Sequence, residues 1–233
     1  MATAKKAEGL GLSITTGTQR RHQRDYVANW QQVQQGLIGD LTGGNVWWNG
    51  GKLWHRDNDP SWSEMEWMIR DWVNWTWLSG DHIVEQHVHN IDVIHWFTGM
   101  HPVKAVGFGG RARRVTGDQY DHFSVDFEMP DGSHLHSMCR QINGCANNVS
   151  EFIVGTRGSS NCANTLYDKE GRTAWKYEAP TVTTEKGEKK PRSISPYLQE
   201  HIDLVTAIRT GKPLVEAKNT AISTLAAIMG RIS

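Results

Sequence analysis

The chain has 233 residues, of which 25 are Lys or Arg and 25 are Asp or Glu. This balance gives no electrostatic reason to expect nucleic acid or an anionic membrane as a partner. No apolar run is long enough to cross a membrane, and the N-terminus lacks the apolar core of a signal peptide. Three cysteines without paired spacing argue against a disulfide framework or a zinc cluster, and they favour the cytoplasm unless an export signal lies upstream of Met1.

The N-terminal segment MATAKKAEGLGLSITTGT predicts the end of a helix, a glycine-containing turn and a short strand at residues 12–16. This pattern is the second half of a βαβ unit whose first strand is missing. We therefore predict a remnant αβ unit in residues 1–18 and the main domain in residues 19–233.

Apolar residues then recur at helical spacing from Tyr26 to Leu37, and they predict a helix. LTGGNVWWNG predicts a strand, GKLWHRDNDPSWSEME predicts a long ordered loop, and a short helix follows near Glu64–Trp72. Eight of the 11 tryptophans lie between Trp47 and Trp77. Indole rings suit core packing, a subunit interface or stacking on sugar rings, and the sequence leaves these open.

The stretch SGDHIVEQHVHNIDVIHW predicts one helix from about Asp81 to Phe97. Its aliphatic residues fall on one side, and a separate stripe at spacings of three or four contains His82, Glu85, His89, Asp92 and Trp96. A carboxylate one turn from an imidazole can orient it and raise its pKa, so Glu85 and His89 could move a proton to or from a hydroxyl. The same stripe suits a solvated helix face equally well. His87 and His95 lean toward the apolar side, which favours packing roles.

Four later segments alternate in polarity or are rich in β-forming residues: VKAVGFGGRA, HFSVDFEM, SHLHSMCRQI and EFIVGTRG. They predict an α+β (α/β) fold with a large, open, mostly antiparallel sheet and helices packed on one face. Residues 179–195 predict an exposed loop, and two helices follow it. His134 and His136 would share one strand face as half of a metal site, but no third ligand is evident and we predict no metal.

Three segments, QRRH with QQVQQGLIGDL, SGDHIVEQHVHNIDVIHW and PYLQEHIDLVTAIRTGKPLVEA, occur in an order that resembles the glucose–fructose oxidoreductase/inositol dehydrogenase (Gfo/Idh/MocA) family. In that family a Rossmann domain binds NAD or NADP, and a C-terminal domain with a large open sheet binds substrate and often forms the oligomer interface. The resemblance implies the substrate-binding domain of a dehydrogenase that acts on hydroxyls of a sugar, polyol or glycoside. It also implies a homodimer or homotetramer formed through the sheet.

The family helix usually reads GG-x-x-x-D-x-G-x-H-x-x-D, and its first acid and its histidine take part in hydride transfer. By this match His89 is the catalytic histidine and Glu85 stands where the usual Asp stands. Arg20 matches a family arginine near the domain junction, where it would contact cofactor or substrate or form a structural salt bridge. We expect substrate contacts from four residues: Arg20, His82, Asp92 and Trp96.

The family's G-x-G-x-x-G turn and the lysine of its E-K-P motif are both absent. GFGGRA is a poor match that lies between strands, and the cofactor-binding residues stay unidentified. We therefore expect a fragment of a longer oxidoreductase that binds NAD or NADP weakly and is inactive, or nearly so, alone. Two alternatives remain: a glycosidase that oxidises and then eliminates, with His82 and His87 as extra acid–base groups, and a non-enzymatic sugar-binding or oligomerisation module.

Overall fold

The computed structural model describes residues 2–183, 187–191 and 194–233. Within these residues the helices are α1 Ala2–Gly9, α2 Arg24–Gln34, α3 Glu64–Arg70, α4 Thr76–Ser79, α5 His82–Glu85, α6 Val88–Thr98, α7 Pro196–Thr210 and α8 Ala217–Ile232. Short 3₁₀ turns occupy Gln19–His22 and Trp72–Asn74. None of these helices combines the length and hydrophobicity that a membrane span requires.

The strands are β1 Leu41–Gly50, β2 Lys104–Gly110, β3 His122–Glu128, β4 His134–Gln141, β5 Asn148–Gly155, β6 Gly158–Ser160, β7 Thr165–Asp168, β8 Thr173–Lys176, β9 Thr181–Thr183 and β10 Lys189–Pro191. Eight of them form one sheet in the order β2-β3-β4-β1-β5-β6-β7-β8. β1 and β4 are parallel, with Gly43 opposite His134 and Gly50 opposite Gln141, whereas β2–β3, β3–β4 and the pairs from β5 to β8 are antiparallel. The prediction of an α+β fold with a large, mostly antiparallel sheet is confirmed.

The chain divides into two compact units. Unit 1 comprises Met1–Leu41 and Ile153–Ala221, and unit 2 comprises Thr42–Phe152 and Ile222–Ser233. Each unit is therefore assembled from segments far apart in the chain. The predicted domain boundary after residue 18 stays a prediction.

The core of unit 2 follows the period-two alternation of its strands. Phe123, Val125 and Phe127 of β3 are buried, while Ser124 between them is exposed. Because successive side chains of a strand point to opposite faces, one face of β3 belongs to the core and the other does not. The helical contribution to the buried apolar set comes from Ile83, Ile91, Val93, Ile94 and Phe97.

Unit 1 is organised around a buried histidine. His22 is 5% exposed, and its ring nitrogens lie 2.8 Å from Asp203 of α7 and 2.9 Å from Glu216 just before α8. Glu216 also accepts a hydrogen bond from the amide of Thr16 at 2.9 Å. Burial alone would lower the pKa of His22, but its hydrogen bonds to the two carboxylates raise it above 6.5. Within unit 1 this network ties the N-terminal segment to α7 and to the residue that precedes α8.

Two sequence predictions in unit 1 need correction. The strand predicted at residues 12–16 is reduced to a single parallel bridge between Ile14 and Val215. The loop predicted at residues 179–195 contains the exposed two-stranded pair β9–β10, because Thr181–Thr183 and Lys189–Pro191 pair in antiparallel register. Residues 184–186 and 192–193 of that segment lie outside the described residues.

We expect His22→Ala to destabilise the protein by about 3 kcal/mol at pH 6, the usual cost of removing one partner of a buried ion pair. Because the raised pKa of His22 favours the folded state while the imidazole is protonated, its contribution is full below pH 6.5 and is lost as the pH rises through the folded pKa. Thermal unfolding of wild type and variant at pH 6 and pH 8.5 measures the effect. The control is His201→Ala, which removes an exposed histidine of α7. Equal losses of stability at both pH values would contradict this assignment.

Candidate functional site

The predicted single helix from Asp81 to Phe97 is wrong, because the chain breaks between α5 and α6. The amide of His87 bonds to the carbonyl of His82, five residues back, at 3.1 Å. The amide of His89 bonds to the carbonyl of Gln86, three residues back, at 3.2 Å. A hydrogen bond five residues back and one three residues back thus replace the regular α-helical bond to the carbonyl four residues back. Such interruptions of a helix often mark functional positions.

α5 begins at a residue with an unusual backbone. Asp81 has φ 76° and ψ 163°, a region that is essentially reserved for glycine and costs about 1–3 kcal/mol for other residues. Its fully buried carboxylate accepts hydrogen bonds from the amides of His82 at 2.9 Å and Tyr120 at 3.1 Å. Its carbonyl accepts from the amides of Val84 and Glu85. These bonds hold the strained residue and fix the direction of α5.

Glu85 is the last residue of α5 and is partly buried. Its Oε2 atom is shielded from solvent and has no hydrogen-bond partner among the described residues. Because burial disfavours the charged form, the pKa of this carboxyl is raised from 4.5 to about 7. Glu85 can therefore take up or release a proton near neutral pH.

His89 lies in the first turn of α6, on the other side of the break. It is partly buried, and its ring centroid is 5.8 Å from that of Trp48 of β1, with the two planes tilted by 31°. The break is therefore flanked by a carboxyl that titrates near pH 7 and by an imidazole held beside an indole. This pair suits proton transfer at a substrate hydroxyl.

Three other predicted residues of the stripe lie in different surroundings. His82 is 1% exposed, and its ring centroid is 5.1 Å from that of Phe123. Asp92 is also buried and accepts a hydrogen bond from the hydroxyl of Ser223 at 2.7 Å. Trp96 is partly buried and packs edge-on against the neighbouring ring of Phe97. Their substrate contacts, like the catalytic roles of Glu85 and His89, stay predictions.

Arg20 belongs to unit 1, in the 3₁₀ turn Gln19–His22. Its guanidinium carbon lies 6.0 Å from the ring centroid of Tyr26, within the range of a cation–π contact. Its predicted contact with cofactor or substrate is likewise untested by this arrangement.

The sequence analysis missed the roles of two residues near this site, Asp81 before α5 and Gln86 at the break. Asp81 was treated as the beginning of a helix, although Asp is one of the few residues enriched at positive φ. Gln86 received no role, yet its side-chain oxygen lies 3.3 Å from the side-chain nitrogen of Gln141 on β4. No local pattern announces this second contact, because the two residues are distant in the chain.

The GFGGRA segment is not a dinucleotide-binding turn of the usual kind. GFGGRA lies largely in extended strand β2 rather than in a turn that opens a helix. A Cβ atom on Gly107 would lie 2.7 Å from the hydroxyl of Ser233, and one on Gly109 would lie 2.8 Å from the ring of Phe123. The described part of the chain also holds no group of three or more His, Cys, Asp or Glu residues arranged to bind a metal ion.

The model of the GFO/IDH/MocA C-terminal domain matches residues 26–161, more than half of the chain. The chain belongs to the GFO/IDH/MocA family. The family resemblance predicted from the sequence is thus confirmed. No relative was found among curated proteins.

Solved structures with the same fold include three dehydrogenases or oxidoreductases. A protein from Thermotoga maritima assigned as an oxidoreductase has a TM-score of 0.67 at 20% identity, over 100% of this chain and 64% of its own. Scyllo-inositol dehydrogenase from Lactobacillus casei, solved with NAD(H) and scyllo-inositol, has a TM-score of 0.63 at 20% identity, over 97% and 64%. UDP-N-acetylglucosamine 3-dehydrogenase from Acidithiobacillus ferrooxidans has a TM-score of 0.66 at 15% identity, over 99% and 64%. At these identities the likeness concerns the fold, and the GFO/IDH/MocA chain described here spans about 64% of the length of these structures.

We expect Glu85→Gln to remove a pH dependence from stability. Because the folded-state pKa of Glu85 is raised, its full contribution is present below about pH 4.5 and is lost as the pH rises through about 7, where a charge must be buried. Thermal unfolding should show the variant close to wild type at pH 4.5 and more stable than wild type at pH 8. Glu64→Gln, which removes an exposed carboxylate of α3, is the matched control. A variant that is less stable than wild type at pH 8 would contradict the assignment.

Proposed function

We propose that this chain is the substrate-binding part of an NAD(P)-dependent oxidoreductase that acts on a hydroxyl of a sugar, a polyol or a glycoside. The observation that carries the proposal is the α5–α6 break in a GFO/IDH/MocA domain, which Glu85, with its pKa near 7, precedes and His89, beside Trp48, follows. A cytoplasmic location remains part of the proposal.

Oxidation of an alcohol removes a proton from the oxygen and a hydride from the carbon. In the proposed reaction His89 accepts the hydroxyl proton as general base. Glu85 lies on the other side of the break. Because the pKa of its carboxyl is about 7, this carboxyl can bind or release a proton during the reaction at neutral pH. The indole of Trp48 offers an apolar face against which the C–H face of a sugar or polyol packs.

No residues of this chain are assigned to binding the cofactor that would accept the hydride. The glycines of GFGGRA lie in or just after strand β2 and do not form a phosphate-binding turn at the start of a helix. We therefore derive no step through NAD or NADP, and we assign to the described residues the proton transfer and the binding of the carbohydrate.

The oxidation–elimination alternative depended on additional acid–base groups at His82 and His87. Both rings are buried, with His87 at 0% exposure and hydrogen-bonded to the hydroxyl of Ser137 at 2.7 Å. These positions suit packing rather than contact with a glycoside. The simple oxidoreductase is therefore favoured, and a non-enzymatic sugar-binding module is its remaining competitor.

We expect the purified chain to bind a sugar or polyol in a saturable manner that tryptophan fluorescence reports, because Trp48 lies beside His89. His89→Ala should weaken that binding about tenfold, the scale of one hydrogen bond to a charged or polar group. In the longer oxidoreductase that would contain this chain together with a dinucleotide-binding domain, the same variant should lower kcat by about 10²-fold or more.

The control for both measurements is His201→Ala, an exposed histidine of α7 in unit 1. A panel of hexoses, inositols and aryl glycosides is titrated, and NAD⁺ and NADP⁺ reduction is followed in parallel. Carbohydrate binding with His89→Ala as active as wild type would favour the non-enzymatic module. Absence of any carbohydrate binding would refute the proposal.

We also propose that the chain forms a homodimer or homotetramer through its sheet. One face of the sheet in unit 2 exposes Val106 and Phe108 of β2 and Met138 of β4, at 65%, 77% and 47%. They line a shallow cavity of about 400 Å³ together with Trp47 of β1. Contiguous exposed apolar groups of this kind mark association surfaces.

We expect light scattering to find a dimer or tetramer for wild type and a monomer for Phe108→Glu, because a buried charge in such a face is costly. Val115→Glu is the matched control, since Val115 is 86% exposed and lies outside the sheet. A monomeric wild type at micromolar concentration would contradict the proposed association.

A further inference from the structure

A second concavity of unit 2, with a volume of about 380 Å³, carries a concentration of positive charge. Three cationic side chains, Lys52, Arg113 and Arg114, line it, together with the polar side chains of Gln141, Asn143 and Cys145. No carboxylate is among the described residues that line it. We call this concavity the cationic cavity.

The cationic cavity lies where the parallel strands β1 and β4 end. Gly50 is opposite Gln141 in the last step of their register, and the chain beyond each strand contributes to the wall. The amide of Lys52 donates to the side-chain oxygen of Asn143 at 2.8 Å, and a Cβ atom on Gly51 would lie 2.9 Å from that oxygen. A glycine here lets the two strand ends approach each other. Carboxyl ends of parallel strands are a common place for ligands.

Arg114 supplies a buried cation with an unused donor. It is 6% exposed, and its terminal nitrogens donate to neutral amide oxygens, at 3.0 Å to Asn74 and 2.8 Å to Gln119, and also to Gln141. Its Nε atom is buried and has no hydrogen-bond partner among the described residues. Burial lowers the pKa of Arg114, and the nearby carboxylates of Asp81, Asp121 and Asp71 raise it, so its charge is partly offset within unit 2.

The other two cationic side chains, Lys52 and Arg113, form no ion pair with a carboxylate in the described part of the chain. Neighbouring Arg111, in contrast, donates hydrogen bonds to the carbonyls of Arg114, Thr116 and Gly117. Asp121 accepts hydrogen bonds from the main-chain amides of Ala112, Arg113 and Arg114 rather than from their side chains. The charges of Lys52 and Arg113 are therefore available to an anion in the cavity.

Gln141 connects the cationic cavity to the α5–α6 break. Its side-chain oxygen accepts from Arg114, and its side-chain nitrogen donates to Gln86, the residue that follows Glu85 and precedes the turn to His89. We propose that the cavity binds the acid group, a carboxylate or a phosphate, of a sugar or polyol derivative whose reacting hydroxyl lies at His89. This inference rests on the proposed function and narrows its substrate to an acidic carbohydrate.

The test is calorimetric titration of the purified full chain with D-glucuronate, D-glucose 6-phosphate, D-glucose, inorganic phosphate and NADP⁺. The two acidic sugars should bind at least tenfold more tightly than D-glucose, and their affinity should fall as salt is added. The comparison of carboxylate with phosphate distinguishes the two sources of the anion. Arg113→Ala and Lys52→Ala should each weaken acidic sugars about tenfold, the scale of one charge-assisted contact, and leave D-glucose unchanged.

The matched control is Arg209→Ala, an exposed arginine of α7 in unit 1. Thermal unfolding of each variant verifies that it is folded, and the exposed position of Arg113 makes loss of folding there unexpected. Equal affinities for D-glucose and the acidic sugars would overturn the inference and leave the proposed function standing. Binding of inorganic phosphate or NADP⁺ alone, sensitive to Arg113→Ala, would assign the cavity to a different ligand and would overturn the inference without touching the proposed function. No binding of any of the five compounds would also overturn the inference.

Discussion

The buried carboxylate of Asp81 is the interaction on which the arrangement of the site depends. It accepts hydrogen bonds from the main-chain amides of His82 and Tyr120, while the backbone of Asp81 adopts a conformation that is usually found only for glycine. The hydrogen bonds offset the conformational cost, and the direction of α5 follows from them. Glu85, at the other end of that short helix, is thereby turned into surroundings that keep its carboxyl partly desolvated.

The polar side chains of α6 show how a histidine-rich helix can be mostly structural. Asn90 donates to Glu151 at 2.7 Å and to two main-chain carbonyls, and His95 lies 3.1 Å from the hydroxyl of Ser223, which in turn donates to Asp92. These hydrogen bonds offset much of the cost of burying polar side chains in the core. His89 stands apart because it packs beside an indole at the break, where the ring remains partly accessible.

The repeating parts of this fold were predictable from the sequence, and the irregular parts were not. The alternation of apolar Phe123, Val125 and Phe127 with polar residues predicted a strand with one buried face. The helical spacing of apolar residues from Tyr26 to Val33 predicted α2. The break at Gln86 was not predictable from the sequence. Aliphatic residues keep the same helical spacing before and after it, so a helical wheel shows one continuous helix. The pairing of His89 with Trp48 and of Gln86 with Gln141 depends on strands β1 and β4 being neighbours, which no local pattern specifies. Family resemblance singled out Glu85 and His89, and the structure places them on either side of a break that the predicted single helix did not contain.

The position of β1 in the sheet has a consequence for how unit 2 is made. β1 is the first strand in the chain, yet it lies between β4 and β5, and the contact from Arg140 to Gly50 joins residues 90 positions apart. During synthesis β1 must therefore wait, with both edges unpaired and with Trp47 and Trp48 uncovered, until its partners have emerged. Pairing over such separations slows folding, and unpaired edges with apolar side chains invite aggregation in the interval. The strand that carries the indole beside His89 is thus also the strand that leaves the nascent chain vulnerable for longest.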